Sequence, residues 1–176
     1  VTLPDGTTVS DEVAPGEPTV VEVYRRPLRG RVVVGPWPDA LSDLVGRSLT
    51  LVERDDGAWA TDDRPASLVS RASLGTIDGD GRRFRMLLEL DDLAPHAEDA
   101  WRSRRVRIGE ATLLVGEPTP RCAVPSGNPD TGIRDRDVLR ELLEKRGPIE
   151  GEPCMGVYAE VLEPGVVRVG DAVELV

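Results

Sequence analysis

Arg105-Val106-Arg107-Ile108-Gly109-Glu110-Ala111-Thr112-Leu113-Leu114-Val115 reads as a β-hairpin, two strand-like runs turning about Gly109-Glu110. The same grammar continues on both sides. Downstream, residues 157–163, 166–169 and 172–176 form a meander with turns at Pro164-Gly165 and Gly170-Asp171. Upstream, residues 84–90 make a strongly apolar strand, and residues 67–74 a strand end running into a short helical turn. Residues 49–53 are strand-like and precede a hairpin signal at Asp56-Gly57. Nearer the start, residues 20–24 and 31–34 are strands separated by Pro27 to Gly30, residues 11–18 a loop, and Pro4-Asp5-Gly6 a turn. Two helices interrupt the pattern. One spans residues 39–45, with Asp39 as cap and Gly46 behind it. The other spans residues 135–146, with Asp135 as N-cap, an apolar stripe of Val138, Leu139, Leu142 and Leu143, and Gly147 as its end.

Composition agrees with a mainly β chain carrying minor α. Hydrophobic residues make up 39% and aromatics 3%, so the core is built from Val, Leu and Ala. The 18 glycines and 15 prolines imply many turns and short elements, a barrel or sandwich and not a helix bundle. A net charge of −10 argues against nucleic acid or an anionic membrane as partner. No apolar run approaches the ~18 residues of a membrane span, and no signal-peptide pattern occurs, so the expectation is a cytoplasmic protein without membrane contact. Cys122 and Cys154 make no disulfide framework and are expected as reduced thiols. Lys145 is the only lysine among 22 basic residues. Arginine suits phosphate or carboxylate, although the bias also follows from a GC-rich genome.

Common motifs are missing. Asp78-Gly79-Asp80-Gly81 opens like a calcium loop, but Arg82 and Arg83 stand where a ligand and the sharp-turn glycine belong. One histidine, His96, and two distant cysteines give no zinc spacing, and neither a G-x-S-x-G elbow nor a phosphate-binding glycine loop is present. His96, Glu98, Asp99 and Trp101 read as a surface loop whose carboxylates cap the next turn over a packed Trp101. Cys122 stands apart because of its surroundings, Pro118-Thr119-Pro120-Arg121 before it and Pro125-Ser126-Gly127 after it. The prolines keep this stretch out of a central strand, and Arg121 favours the thiolate, the form that binds metals or attacks sulfur. From chemistry alone, a buried inert cysteine remains the alternative. Cys154 reads as inert, at the approach to a strand.

From Phe84 onward a set of short motifs occurs in order: Phe84-Arg85, Ala97-Glu98-Asp99 with Trp101, Ile108-Gly109-Glu110, Pro120-Arg121-Cys122, Asp130-Thr131-Gly132, Gly156-Val157-Tyr158 and Pro164-Gly165. Pro65, Ser67-Leu68-Val69-Ser70 and Ala72-Ser73-Leu74 extend the set upstream. Over roughly residues 41–176 the chain resembles the MOSC family, the module named after the C-terminal part of molybdenum-cofactor sulfurases. The resemblance implies an antiparallel MOSC-type β-barrel with short peripheral helices over residues 35–176. Residues 1–34 are then the remnant or tail of an N-terminal β region that accompanies the larger family members.

The resemblance also implies a role for Cys122. In sulfurase-type relatives the matching region receives or carries sulfur. In reductases of N-hydroxylated compounds the matching cysteine is a thiolate ligand of the molybdenum in a pterin cofactor, molybdopterin. Arg85, Ser70, Ser73 and Arg121 match the cofactor-pocket region. Met86-Leu87 replace a Pro-Asn pair common in the reductases, and Pro125-Ser126 stand where a Thr pair usually follows the cysteine. Three readings follow: a molybdenum-dependent oxidoreductase acting on a small-molecule substrate with an external electron donor; a sulfur carrier bearing a Cys122 persulfide, fed by a sulfur-donor protein of the cysteine desulfurase type; or a binding module without chemistry.

Overall fold

The computed structural model describes residues 2–23, 25–55, 64–77 and 79–176; the Asp56-Gly57 hairpin signal and Asp78 lie outside the described residues. The chain divides into two compact units, Val1–Trp59 and Ala60–Val176.

The first unit holds strands β1 (Ala14–Val23), β2 (Arg26–Val34) and β3 (Val52–Arg54), paired antiparallel in that order, and helix α1 (Trp37–Val45). Thr2 and Thr8 bridge across the turn at Pro4-Asp5-Gly6, as its residues suggest. The loop expected over residues 11–18 is instead largely strand. β1 is an edge strand, so Pro15 and Pro18 sit in it without breaking a ladder on the open side, and the register shifts between them. Pro27 likewise lies inside β2, because β3 pairs only farther along, at Gly30 to Val32. Asp39 does not cap α1. The helix begins at Trp37 after Pro36, leaving Asp39 inside the first turn, and Gly46 closes it with φ 72° and an N–H bond to the Ser42 carbonyl.

The second unit is a curled six-stranded half-barrel, mainly β. Its order is β5-β4-β8-β7-β6-β9, from β4 (Ala66–Ser70), β5 (Leu88–Leu90), β6 (Arg105–Ile108), β7 (Ala111–Pro120), β8 (Cys154–Glu163) and β9 (Val173–Leu175). Only β4–β5 is parallel. The expected hairpin is β6–β7, turning at Gly109 with φ 55°. Residues 166–169 do not form a strand; Val166 bonds through both N–H and C=O to Glu110 in the β6–β7 turn.

Alternation along β4 feeds two cores. Leu68 joins Trp101, Val106, Ile108, Leu113 and Val157, while its neighbour Val69 joins Leu74, Phe84, Val138, Leu142 and Met155. On β8 this alternation breaks. Met155 and Val157 share parity yet pack in different clusters, because Gly156 between them takes φ 72°. A Cβ there would stand 2.5 Å from the Leu68 carbonyl oxygen and 2.6 Å from the Met86 methyl. The bulge shows in the ladder, where Pro118 faces Val157 but Pro120 faces Cys154.

Helix α2 (Arg71–Gly75) follows β4 directly, capped by the Ser70 hydroxyl. Helix α3 (Val138–Lys145) is shorter than its apolar stripe suggested and is capped by Asp137, not Asp135. Val138 and Leu142 are fully buried, but Leu143 is 42% exposed. The strand expected over residues 84–90 is also cut short. Residues Gly81–Phe84 form a 3-10 turn, Arg85 takes φ 51°, and only Leu88–Leu90 pairs.

Candidate functional site

Two segments build the site: the 81–86 turn and the chain leaving β7. Pro118 and Pro120 do lie in a central strand, contrary to expectation, accommodated where the β7–β8 register is irregular. Cys122 follows on the loop beyond. It is exposed and free, so it is not the buried inert thiol. Cys154 is that thiol: it is 2% exposed at the start of β8, and burial pushes its pKa up.

Behind the loop, Arg121 turns inward. It donates from Nε and Nη2 to the Met155 carbonyl and from Nη1 to the Phe84 carbonyl (3.0 Å), with its guanidinium carbon 5.6 Å from the Phe84 ring centre. Desolvation pushes its pKa down to about 10, which leaves it charged at neutral pH. This guanidinium is thus committed to interior carbonyls.

From the turn, Arg83 reaches the other way. Its buried fork grips both oxygens of Asp135 (2.8 Å each), and Nη1 also meets the Gly127 carbonyl (2.9 Å) and the Pro125 carbonyl (3.3 Å). Arg83, with Asn128, holds the Asp135 pKa down at about 2. Pairing with Arg83 is why Asp135 does not cap α3. Arg82 adds a second fork on Asp130 (2.9 and 3.2 Å), and Asn128 Oδ1 takes the N–H groups of Asp130 and Thr131 to shape that loop.

Between these segments lies a cleft of about 590 Å³ lined by Arg82, Arg83, Arg85, Arg134, Asn128, Ala123 and Val124 among others. Arg85 thus lines the same cleft as the two residues directly after Cys122. Arg82, Arg83 and Arg134 are paired with carboxylates, whereas the guanidinium of the exposed Arg85 makes no hydrogen bond or ion pair with the described residues; its backbone N–H closes the turn on the Arg82 carbonyl. The cleft offers the Arg85 guanidinium to an anion; Cys122 is not in its lining but immediately precedes Ala123, which is. A free guanidinium with an exposed thiol next in sequence to the lining is a donor set that fits a phosphate-bearing, thiolate-ligated metal cofactor.

Ser70 and Ser73 are not part of this lining. Both are fully buried with their hydroxyls 2.5 Å apart; Ser73 Oγ donates to Glu98 (2.7 Å) and accepts from the His96 N–H (2.7 Å). The surface-loop reading of residues 96–101 therefore fails. Glu98 is fully buried on Ser73, and Asp99 pairs with the buried Arg146, which also holds the Cys154 carbonyl. Trp101 packs beneath, as expected. His96 is half-buried, its pKa lowered by desolvation and by Arg146.

Sequence reasoning missed Arg82, Arg83, Arg134 and Asp135 as site-building residues. The available signal was charge density: Arg82-Arg83-Phe84-Arg85 is a cationic knot in an acidic chain. Among the described residues no helix is long and apolar enough to cross a membrane.

The chain is similar in sequence to known proteins. Mitochondrial amidoxime-reducing component 1 of Mus musculus is 31% identical over 136 residues, 69% of this chain and 39% of the relative. Its Homo sapiens counterpart is 27% identical over 129 residues, 65% of this chain and 38% of the relative. Mitochondrial amidoxime reducing component 2 of Rattus norvegicus is 29% identical over 123 residues, 62% of this chain and 36% of the relative. The chain thus spans under two-fifths of the length of these curated relatives. The MOSC domain profile matches residues 55–174, which takes in both segments of the cleft, and the chain belongs to the MOSC domain family.

Proposed function

We propose that this protein is a molybdenum-cofactor-binding reductase of N-hydroxylated small molecules, with Cys122 as the thiolate ligand of the metal. The observation that carries this reading is the exposed Cys122 thiol at the head of a segment lining an arginine-rich cleft. Similarity to amidoxime-reducing components supports the substrate class.

In this reading a soft thiolate binds the metal where a serine hydroxyl would not. Arg85, whose guanidinium has no partner among the described residues, gives the cofactor's phosphate a forked donor. Arg121 serves from behind, tying the turn that carries Arg85 to the strand end that carries Cys122, while Ser70 and Ser73 fix the start of α2 and the buried Glu98. When bound, the cofactor supplies two-electron cleavage of an N–O bond, with two protons taken up and water released. The electrons come from an external donor protein, and the cleft volume suits a small substrate.

The test is elemental analysis of protein produced with an intact cofactor pathway, followed by an assay with an N-hydroxylated substrate and a reduced donor. About one molybdenum per chain and donor oxidation are expected. The exposure of Cys122 also suits a persulfide handed between proteins. A labile persulfide without molybdenum would establish that sulfur-carrier reading instead, and neither species would leave a binding module.

A further inference from the structure

The 81–86 turn and the 121–127 segment are interlocked by two guanidiniums that cross in opposite directions. Arg121 leaves the cysteine segment to hold the Phe84 carbonyl, and Arg83 leaves the turn to hold the Pro125 and Gly127 carbonyls. Arg83 is the more elaborate of the two. Its side chain is 7% exposed, and its fork is fixed by both oxygens of Asp135, whose own N–H bonds to the Ser126 carbonyl. Ser126 in turn is 1% exposed; its N–H closes the 3-10 turn on the Ala123 carbonyl, and its hydroxyl accepts the first N–H of α3. One planar group therefore ties together the turn that presents Arg85, the Pro125–Gly127 stretch of the cysteine segment, and Asp135 just before α3.

We infer that Arg83, anchored by Asp135, is a positioning residue that sets Cys122 against Arg85. Its consequence at a metal rests on the reading above; its effect on the cysteine segment does not. Lysine carries the same charge but lacks the fork, so it cannot hold a carboxylate with two parallel bonds while meeting two carbonyls. Asparagine at 135 keeps the shape and removes the charge that fixes the fork.

Amide hydrogen exchange on the metal-free full chain compares wild type with Arg83→Lys, Asp135→Asn and Arg102→Gln. The last removes an exposed pair network of Arg102 with Glu117 and Glu150, away from the cleft lining. Arg83→Lys and Asp135→Asn should speed exchange at Ser126 and Gly127 about tenfold while β7 and β8 keep wild-type protection. Arg102→Gln should leave that segment unchanged. Unchanged exchange at Ser126 and Gly127 in both variants overturns the inference, as does exchange that rises equally across β7 and β8, the mark of a merely structural role. If Arg83→Lys does not fold, Asp135→Asn, at a residue whose side chain is 36% exposed, decides alone. In molybdenum-loaded protein, the Mo(V) resonance of the folded variants should shift or broaden at equal metal content; an identical resonance also overturns the inference. Wild type without molybdenum defeats the functional reading and leaves the exchange result standing.

Discussion

On one face of the six-stranded sheet, Leu68, Trp101, Val106, Leu113 and Val157 pack as an apolar cluster. On the other, Val69, Phe84, Leu142 and Met155 pack beside the guanidiniums of the buried Arg83 and the part-buried Arg121, which bond main-chain carbonyls across the turn and loop that carry Arg85 and Cys122. The first face is held by contact area alone, which is non-directional and tolerates small shifts. The second adds directional, charge-assisted bonds that fix backbone positions. The proposed site lies on the second, where placing a thiol and a cation needs fixed backbone, whereas filling a barrel needs volume.

The largest test of that division lies between the two cysteines. Cys122→Ser should abolish molybdenum loading while leaving the melting temperature near wild type, since the residue is exposed on a loop. Cys154→Ser should keep loading but cost about 1–3 kcal/mol, because a buried hydroxyl replaces a thiol. Elemental analysis beside thermal melts reads both, and the opposite pattern would break the comparison.

Next in size are the two clusters. Leu142→Ala and Leu113→Ala should each cost about 2–5 kcal/mol in denaturant unfolding, since both side chains are buried. Only Leu142→Ala should also loosen the cysteine segment in hydrogen exchange, because α3 begins on Ser126. Equal loosening by Leu113→Ala would erase the distinction between the faces.

Gly156→Ala should cost about 1–2 kcal/mol or more, measured by chemical unfolding. The left-handed conformation disfavours a Cβ, and the Leu68 carbonyl and Met86 stand where it would go. A neutral substitution would mean that the β8 bulge does not direct Met155 and Val157 to separate clusters.

The smallest effect is a pH dependence. Asp135 titrates at about 2 in the folded chain against an ordinary 3.8, so its pairing stabilises the fold fully above pH 3.8 and is lost as pH falls toward 2. Asp135→Asn should flatten melting temperature against pH in that acid window and leave the profile near neutrality unchanged in shape. A wild-type profile already flat between those values would remove Asp135 as a charged anchor.

Much of this protein is settled by neighbours in sequence. The β6–β7 hairpin, the passage from β4 into α2, the αL ends at Gly46 and Gly147, and the buried pair Val138 and Leu142 follow from turn chemistry and periodicity, which act over a few residues. The ordered motifs from Pro65 to Gly165 identify the family, and the prolines around Cys122 put it on a loop, although its exposure is a finding of the structure. Tertiary structure decided the rest. Asp135 had the local chemistry of a helix cap, but a buried guanidinium 52 residues away outbid the first turn of α3 for its carboxylate. Residues 84–90 had the composition of a strand, but Arg121, reaching back 37 residues, holds the Phe84 carbonyl, and Arg85 turns left-handed. Glu98 looked like surface and is fully buried because Ser73 donates to it. In each case a charged or hydrogen-bonding group found a stronger partner far along the chain, in an interior where unpaired polar atoms are costly, and no local pattern records such a partner.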